Sequence, residues 1–373
     1  MMNPGHRDDE GGGYKIGCLR KSRGLSQAEL AELCGVTRQC INLVEAGKTQ
    51  PNVQVALRLA AELGGTVKAL FGGAVSNDTE LAVNLTPGIR ERARLNVAQV
   101  GRAWVGHPAD TEASLGGGFG EADGVVLRAG DKAKVRVGKS AEELRHNVAV
   151  AGCDPALALL GRSRVGQGLP GRCFWVNCGS GRALALLKEG RVHVAGLHYG
   201  TSEAENLLQL KRHDPDGKWA VVRFTCWEQG WMMRAGARFH GTEDLGDGRV
   251  RLANREAGSG SRHWIEGQLK GLGLSGKLVA GYNREFSSHW ECARALLAGE
   301  ADVAVGPRAV AEVFGLDFTP VGEVVFDLVV PKAHLEHPRV EALLQSVRGR
   351  DMRREIETLP GYASRNAGEW IER

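Results

Sequence analysis

LSQAELAELCGVTRQCINLVEAGKTQP, residues 25–51, reads as two short helices joined by a tight turn. Ser26 followed by Glu29 is a capping box: the Ser26 oxygen accepts a backbone N–H, and the Glu29 carboxylate reaches back to the Ser26 N–H. Ala28, Leu30, Ala31 and Leu33 are expected on the buried side of that helix. Gly35 stands where the chain must turn sharply, and Val36 is expected to tuck between the helices. Thr37 caps a second helix whose Ile41 and Val44, three apart, share one face. Arg38, Gln39 and Asn42 then point outward, side chains suited to hydrogen-bonding base edges, and Lys48 is placed for a phosphate. The plain alternative is a helical hairpin with a polar face.

SQAELAELCGVTRQCINLVEAGKTQPNVQVALRLAAELG resembles the helix-turn-helix of Cro and phage-repressor type regulators, the XRE family, over about residues 14–72. The resemblance implies an all-α, five-helix DNA-binding domain working as a homodimer on a two-fold operator in double-stranded DNA. It places Gln27 on phosphate and Arg38, Gln39 and Asn42 at the reading positions, with Thr37 and Lys48 completing the DNA-binding candidates. Cys40 and Leu43 stand where small polar residues are common in that family, so no operator sequence follows.

The 373 residues leave room for two or three domains, with apolar and charged fractions of 42% and 25% that are ordinary for a globular protein. A net charge of +4 implies no general coating of nucleic acid. Residues 1–72 hold nine Lys/Arg against seven Asp/Glu, so any positive face there comes from placement. Eight cysteines are scattered without CxxC spacing, which argues against a disulfide framework or a structural zinc site. With no signal-peptide core and no 18-residue apolar run, the expectation is a cytoplasmic protein with no membrane partner.

Residues 1–13 are expected to be a disordered arm, and 73–138 a linker (to about residue 87) followed by a small β-rich module around the glycine-rich loop 114–120. From about residue 139 onward strands alternate with helices, which implies a parallel or mixed sheet covered by helices. Three strand-to-helix turns share one plan: GCDPALALL at 152–160, CGSGRALALL at 178–187 and NREAGSGSRHW at 254–264. Helix N-termini at such turns favour an anionic or carbonyl ligand. Asp154-Pro155 is equally an N-cap followed by Pro at the first helical position, leaving Cys153 the better contact candidate. His198, His263 and His289 are each either a ligand or a satisfied structural histidine; Trp264 and Tyr282 read as wall or core.

AGCDPAL, GRVHVAGLH, WEQGWMM, NREAGSGSRHW, GYNREFSSHWECARALLAGEADVAVG and GLDFTPVGEVVFDLVVP run through residues 149–362 in an order that resembles cytoplasmic periplasmic-binding-protein-like domains. The resemblance implies a type II, α/β ligand-sensing domain over 139–373. Its first lobe would span about 140–222 and 320–373, its second about 228–315, hinged by crossing strands near 222–228 and 318–324. Related clefts in molybdate- and tungstate-binding proteins hold the oxyanion with hydroxyls and backbone N–H groups. Carried onto this chain, the ligand-binding candidates are Cys153, Ser180, Gly181, Ser259, Gly260 and Ser261, with His198, His289 and Arg262 beside them. Cys153 and Arg262 depart from an all-neutral, serine-rich set, and Arg262 would suit a carboxylate or phosphate equally well.

The resulting expectation is a multidomain, ligand-responsive regulator of transcription, with DNA and a small anion, molybdate or tungstate, as partners. No cofactor, metal site or catalytic residue is expected, because no nucleophile–base pairing or metal-ligand spacing stands out. Alternatives are an enzyme or accessory factor handling a molybdenum-cofactor intermediate, a sensor of an organic effector, and a DNA-binding protein whose C-terminal half serves only for dimerisation.

Overall fold

The computed structural model describes residues 13–71, 79–110, 119–163, 165–166, 168–200 and 203–373. Nearly all of the expected arm, part of the linker (72–78) and most of the glycine-rich loop (111–118) lie outside the described residues. The chain divides into two compact units, 1–78 and 79–373.

The first unit is all-α: α1 (Gly13–Ser22), α2 (Gln27–Cys34), α3 (Arg38–Glu45), α4 (Val53–Glu62) and α5 (Val67–Phe71). Both bonds of the Ser26/Glu29 capping box form, at 3.2 and 2.7 Å. Gly35 ends α2 in the left-handed region at φ +65°, where its N–H bonds Ala31 and Glu32 carbonyls and a Cβ would meet Arg58. Thr37 caps α3 through Cys40 N. Ile16, Leu30, Ala31, Cys34, Ile41, Val44, Leu59 and Leu63 form the core. Ala28 and Leu33, expected inside, are exposed, Leu33 to 49%. The 3.6-residue period faces Leu30, Ala31 and Cys34 inward together and carries those two around to solvent.

The second unit opens with a closed barrel of β1 (Thr79–Leu85), β2 (Arg94–Val100), β3 (Ala103–Pro108), β4 (Gly124–Arg128) and β5 (Ala133–Val137), in the cyclic order β1-β3-β2-β4-β5. β1 lies wholly where the sequence suggested linker; its Leu81 and Val83 alternate inward while Lys134 and Glu80 pair outside. The barrel is joined to the following α/β region around Asp123, whose carboxylate is fully buried. It accepts from Val97 N (2.9 Å), Asn147 Nδ2 (3.1 Å), Arg172 Nη2 (3.0 Å) and Lys139 Nζ (3.1 Å). His107 and His193 add bonds across the same seam, to the carbonyls of Arg191 and Gln99.

The α/β region follows as α6 (Ala141–Arg145), β6 (Val148–Gly152), α7 (Leu157–Leu160), β7 (Cys173–Asn177), α8 (Ser180–Lys188), β8 (Val194–Leu197), α9 (Glu203–His213) and β9 (Trp219–Met233). It continues through β10 (Leu252–Arg255), α10 (Gly260–Gly271), β11 (Glu285–Phe286), α11 (His289–Leu297), β12 (Val303–Pro307), α12 (Arg308–Val313) and β13 (Asp317–Pro331). The end of the chain adds α13 (Pro338–Arg348), α14 (Arg350–Glu357), β14 (Tyr362–Ala363) and β15 (Trp370–Glu372). One mixed sheet runs β11-β10-β12-β9-β13-β8-β6-β7, with β14 and β15 also on β9.

β6, β7 and β8 belong to one lobe; β10, β11 and β12 belong to the other. The long antiparallel ribbon of β9 and β13 passes through both. β9 is buried along its whole length except for a half-buried Glu228, as a strand covered on both faces must be. Arg223 and Asp327 face each other across that ribbon at 2.6 Å, and Asn206 holds the second carboxylate oxygen. The all-α domain followed by a two-lobed α/β domain is the architecture expected from the sequence.

Candidate functional site

In the first unit, α3 presents Arg38, Gln39 and Asn42 to solvent, with Thr37 and Lys48 also exposed, while Ile41 and Val44 anchor the helix from beneath. Gln27 is half-buried and donates its amide to Glu45 (2.9 Å), which also takes Arg20 Nε at 2.6 Å. Glu45 thereby holds the start of α2 against the end of α3, a role the sequence reading missed.

In the second unit, the candidates gather where the two lobes face each other. Cys153 follows β6, His198 follows β8, and His289 is the first residue of α11; all three are buried. Their ligating atoms lie within 4.8 Å of one another. Trp227, on the β9 hinge strand, packs edge-on to both histidines, with ring centroids 5.1 Å from His198 and 6.0 Å from His289. Gly260, at the start of α10, backs onto His198 so closely that a Cβ there would lie 2.2 Å from its carbonyl oxygen.

The lobes touch directly. Gly181 N donates to Gly258 O at 3.0 Å, and Gly179 N donates to the Glu256 carboxylate. Two of the N–H groups at the start of α8, those of Gly179 and Gly181, are thus occupied by the opposite lobe. Ser180 Oγ exchanges hydrogen bonds with the His198 backbone (3.0 and 3.1 Å), and Ser259 Oγ caps α10 through Arg262 N. Arg262 is held by Glu266, Glu285 and the Arg255 carbonyl, with Tyr282 under its guanidinium. Ser180, Gly181, Ser259 and Arg262, all expected as ligand contacts, thus each have a partner within the protein.

Other groups are left over. His198 Nε2, both ring nitrogens of His289, Ser261 Oγ, Arg255 Nη1, Trp227 Nε1 and Gln229 Oε1 are buried without a hydrogen-bond partner. Arg255, fully buried at the end of β10, is otherwise fixed by the Phe286 and Ser287 carbonyls and by the Glu256 carboxylate at 3.5 Å. Neither it nor Trp227 was singled out from the sequence as a ligand contact. Arg262, by contrast, carried a warning: Glu266 stands four residues on, the spacing of a helical ion pair.

Burial sets the electrostatics. It pushes the Cys153 thiol up to about 12 and His198 down to about 3, with the Arg255 charge opposing the first shift and adding to the second. His289 is held well below its ordinary value by burial first, then by Arg255 and His198, with only the Val305 backbone acting the other way. The site at neutral pH is therefore a thiol and two neutral imidazoles beside a guanidinium. Asp154 is buried below it and accepts from Thr225 (2.6 Å), Tyr362 (2.7 Å) and Ala156 N (2.8 Å). It is a cross-link between three segments as well as a local turn residue. His263 lies at the margin, edge-on to Tyr199.

Comparison with known proteins matches residues 19–70 to a helix-turn-helix family and residues 166–348 to a PBP superfamily domain. The "Uncharacterized protein YvgK" of Bacillus subtilis (strain 168) is 25% identical over 249 residues, covering 65% of this chain and 79% of that protein. An "Uncharacterized HTH-type transcriptional regulator" of Methanothermobacter thermautotrophicus is 51% identical over 45 residues, 12% of this chain and 65% of that one. Among solved structures, a phosphate ABC transporter substrate-binding protein with bound phosphate from Clostridium perfringens aligns with TM-score 0.43 at 8% identity. That alignment covers 61% of this chain and 99% of the other.

Proposed function

We propose that this chain, which joins an XRE-type helix-turn-helix domain to a PBP-like domain, is a DNA-binding regulator whose operator affinity is set by a small ligand held between the two lobes. The observation that carries the reading is the set of buried, unpartnered groups at the lobe junction. Leaving one such group unsatisfied costs about 1–3 kcal/mol, so a set of them points to a missing partner. Nearly all can donate: Ser261 hydroxyl, Trp227 and Arg255 N–H, and a ring N–H from each histidine.

A donor-rich, buried cluster containing one guanidinium suits an oxyanion, and molybdate or tungstate is the effector we favour. Support comes from the donors at Ser261, Arg255 and Trp227 more than from the start of α8, two of whose N–H groups the Glu256 carboxylate and Gly258 carbonyl occupy. Arg255 would serve an organic carboxylate or phosphate as well, which keeps an organic effector as the second reading. Burial holds the Cys153 thiol protonated and disfavours a charged imidazolium on His198 and His289 beside it, so the group is arranged for binding rather than turnover. DNA would be met by Arg38, Gln39 and Asn42 on bases and by Gln27, Thr37 and Lys48 on the backbone, in a homodimer on a two-fold site.

The test is thermal unfolding of the full chain with molybdate, tungstate, sulfate and phosphate in turn. A ligand at 100 times its dissociation constant stabilises the binding unit by about 2.7 kcal/mol. A shift with molybdate or tungstate that is lost in Ser261→Ala supports the oxyanion reading. No shift with any oxyanion removes it and leaves organic acids to be screened.

A further inference from the structure

We propose that Cys153, His198 and His289 form a chelate for a thiophilic d10 metal ion, Zn2+ or Cu+, which clamps the two lobes together. The proposal names a ligand class for the same cleft and rests on that cleft being the effector site, but not on the oxyanion reading.

Three observations converge. The ligating atoms of the three side chains lie within 4.8 Å of one another, and this is the one such buried Cys/His group among the described residues. At metal bonds of about 2.0–2.3 Å the ligand atoms would stand about 3.3–3.6 Å apart, so modest side-chain rotation brings all three onto one ion. The two imidazoles are fully buried; His198 Nε2 has no hydrogen-bond partner and the His289 ring meets at most the Val305 backbone, leaving a lone pair on each ring available to an ion. The ligands also come from both sides of the cleft: Cys153 and His198 end strands of one lobe, and His289 begins α11 of the other. An ion held by all three joins the lobes through bonds, where the metal-free contact rests on Gly181–Gly258 and Gly179–Glu256.

One sulfur and two imidazole nitrogens select soft or borderline ions over Mg2+ or Ca2+. As the metal–sulfur bond forms, the Cys153 thiol releases its proton to solvent; the imidazoles bind through lone pairs and release none. Arg255, whose charge bears on all three side chains, opposes added positive charge, while Asp154 and Glu256, which act on Cys153 with the opposite sign, offset part of that opposition. Cu+ bound to a thiolate is neutral overall, whereas Zn2+ would leave a net charge of +1 and a fourth position open for water or an anion.

The test uses the full chain, reduced and stripped of metal, titrated separately with Zn2+ and, without oxygen, with Cu+ against a competing chelator. Co2+ serves as the spectroscopic probe for thiolate ligation. The wild type is expected to hold one equivalent of Zn2+ or Cu+, and Co2+ to give a thiolate charge-transfer band. Cys153→Ser and His289→Gln should each weaken retention at least tenfold, and Cys153→Ser should abolish the band. Cys18→Ser, an exposed position in the first unit, should behave as wild type. Wild type that retains neither ion, or retention unchanged in both site variants, overturns the proposal. Should Cys153→Ser fail to fold, His289→Gln and the wild-type Co2+ spectrum decide it. Operator binding and the response to molybdate are measured on the same preparations, so loss of the metal site is read apart from loss of the regulator.

Discussion

Replacing Asp123 by Ala should uncouple the barrel from the α/β region. The Asp123 carboxylate, fully buried, accepts from Val97 N, Asn147 Nδ2, Arg172 and Lys139, all between 2.9 and 3.3 Å. Removing it strands the Val97 N–H and one N–H of Asn147, whose Nδ2 still donates to Val97 O, at about 1–3 kcal/mol for each buried group left unpaired. Breaking a wholly buried ion pair costs about 3–5 kcal/mol. The Arg172 and Lys139 side chains retain 22% and 23% exposure, so water recovers much of their share. The sum we expect is a loss of about 3–5 kcal/mol, with Asp123→Asn losing about half as much because one acceptor oxygen remains. All eight tryptophans lie in the second unit, so urea unfolding followed by tryptophan fluorescence reports that unit alone. A loss below about 1 kcal/mol in Asp123→Ala would refute the reasoning, since so buried an acceptor cannot then be holding the seam.

Three further outcomes follow from the same geometry. His107 donates from Nε2 to Arg191 O (2.8 Å), its buried Nδ1 is bare, and burial lowers it to about 4. The unfolded chain takes up that proton near pH 6.5 and the native chain does not, so stability present above pH 6.5 is lost as pH falls towards 4. The loss is about 3 kcal/mol from this group, and the stability–pH slope should be shallower by about one proton in His107→Gln. Arg38→Ala should cost about 1–3 kcal/mol on the preferred operator and broaden sequence choice, whereas Lys48→Ala should weaken all sequences alike; competition binding against base-substituted operators separates the two. Gly260→Ala places a Cβ against His198, an overpacking of about 1–3 kcal/mol that should weaken the effector while leaving operator binding intact. Unchanged effector affinity by calorimetry would show that α10 does not need that approach.

Much of the fold was legible because its signals are local. The Ser26/Glu29 box, Gly35 and Thr37 fix α2 and α3 within nineteen residues, whereas β9, interrupted by Arg223, Thr225, Glu228 and Gln229, shows its burial on both faces only in the structure. The barrel was only half visible. β1 closes onto β5 about fifty residues away, a pairing that no local pattern announces. In the site, the turns were readable but their occupancy was not. Whether Gly181 N meets a ligand or Gly258 O depends on how two lobes close. The same closure strips solvent from Arg255, Trp227 and His289, and so turns strand-end and core residues into unpaired donors.

The most direct test of the central claim is operator affinity with and without ligand. A preferred DNA site is selected from a random pool by the full chain, and its dissociation constant is measured by fluorescence anisotropy in the presence and absence of molybdate or tungstate at fixed salt. The account predicts a change of at least tenfold, about 1.4 kcal/mol of coupling, that vanishes in Ser261→Ala. Equal affinities, while calorimetry on the same sample shows the oxyanion bound, would contradict it.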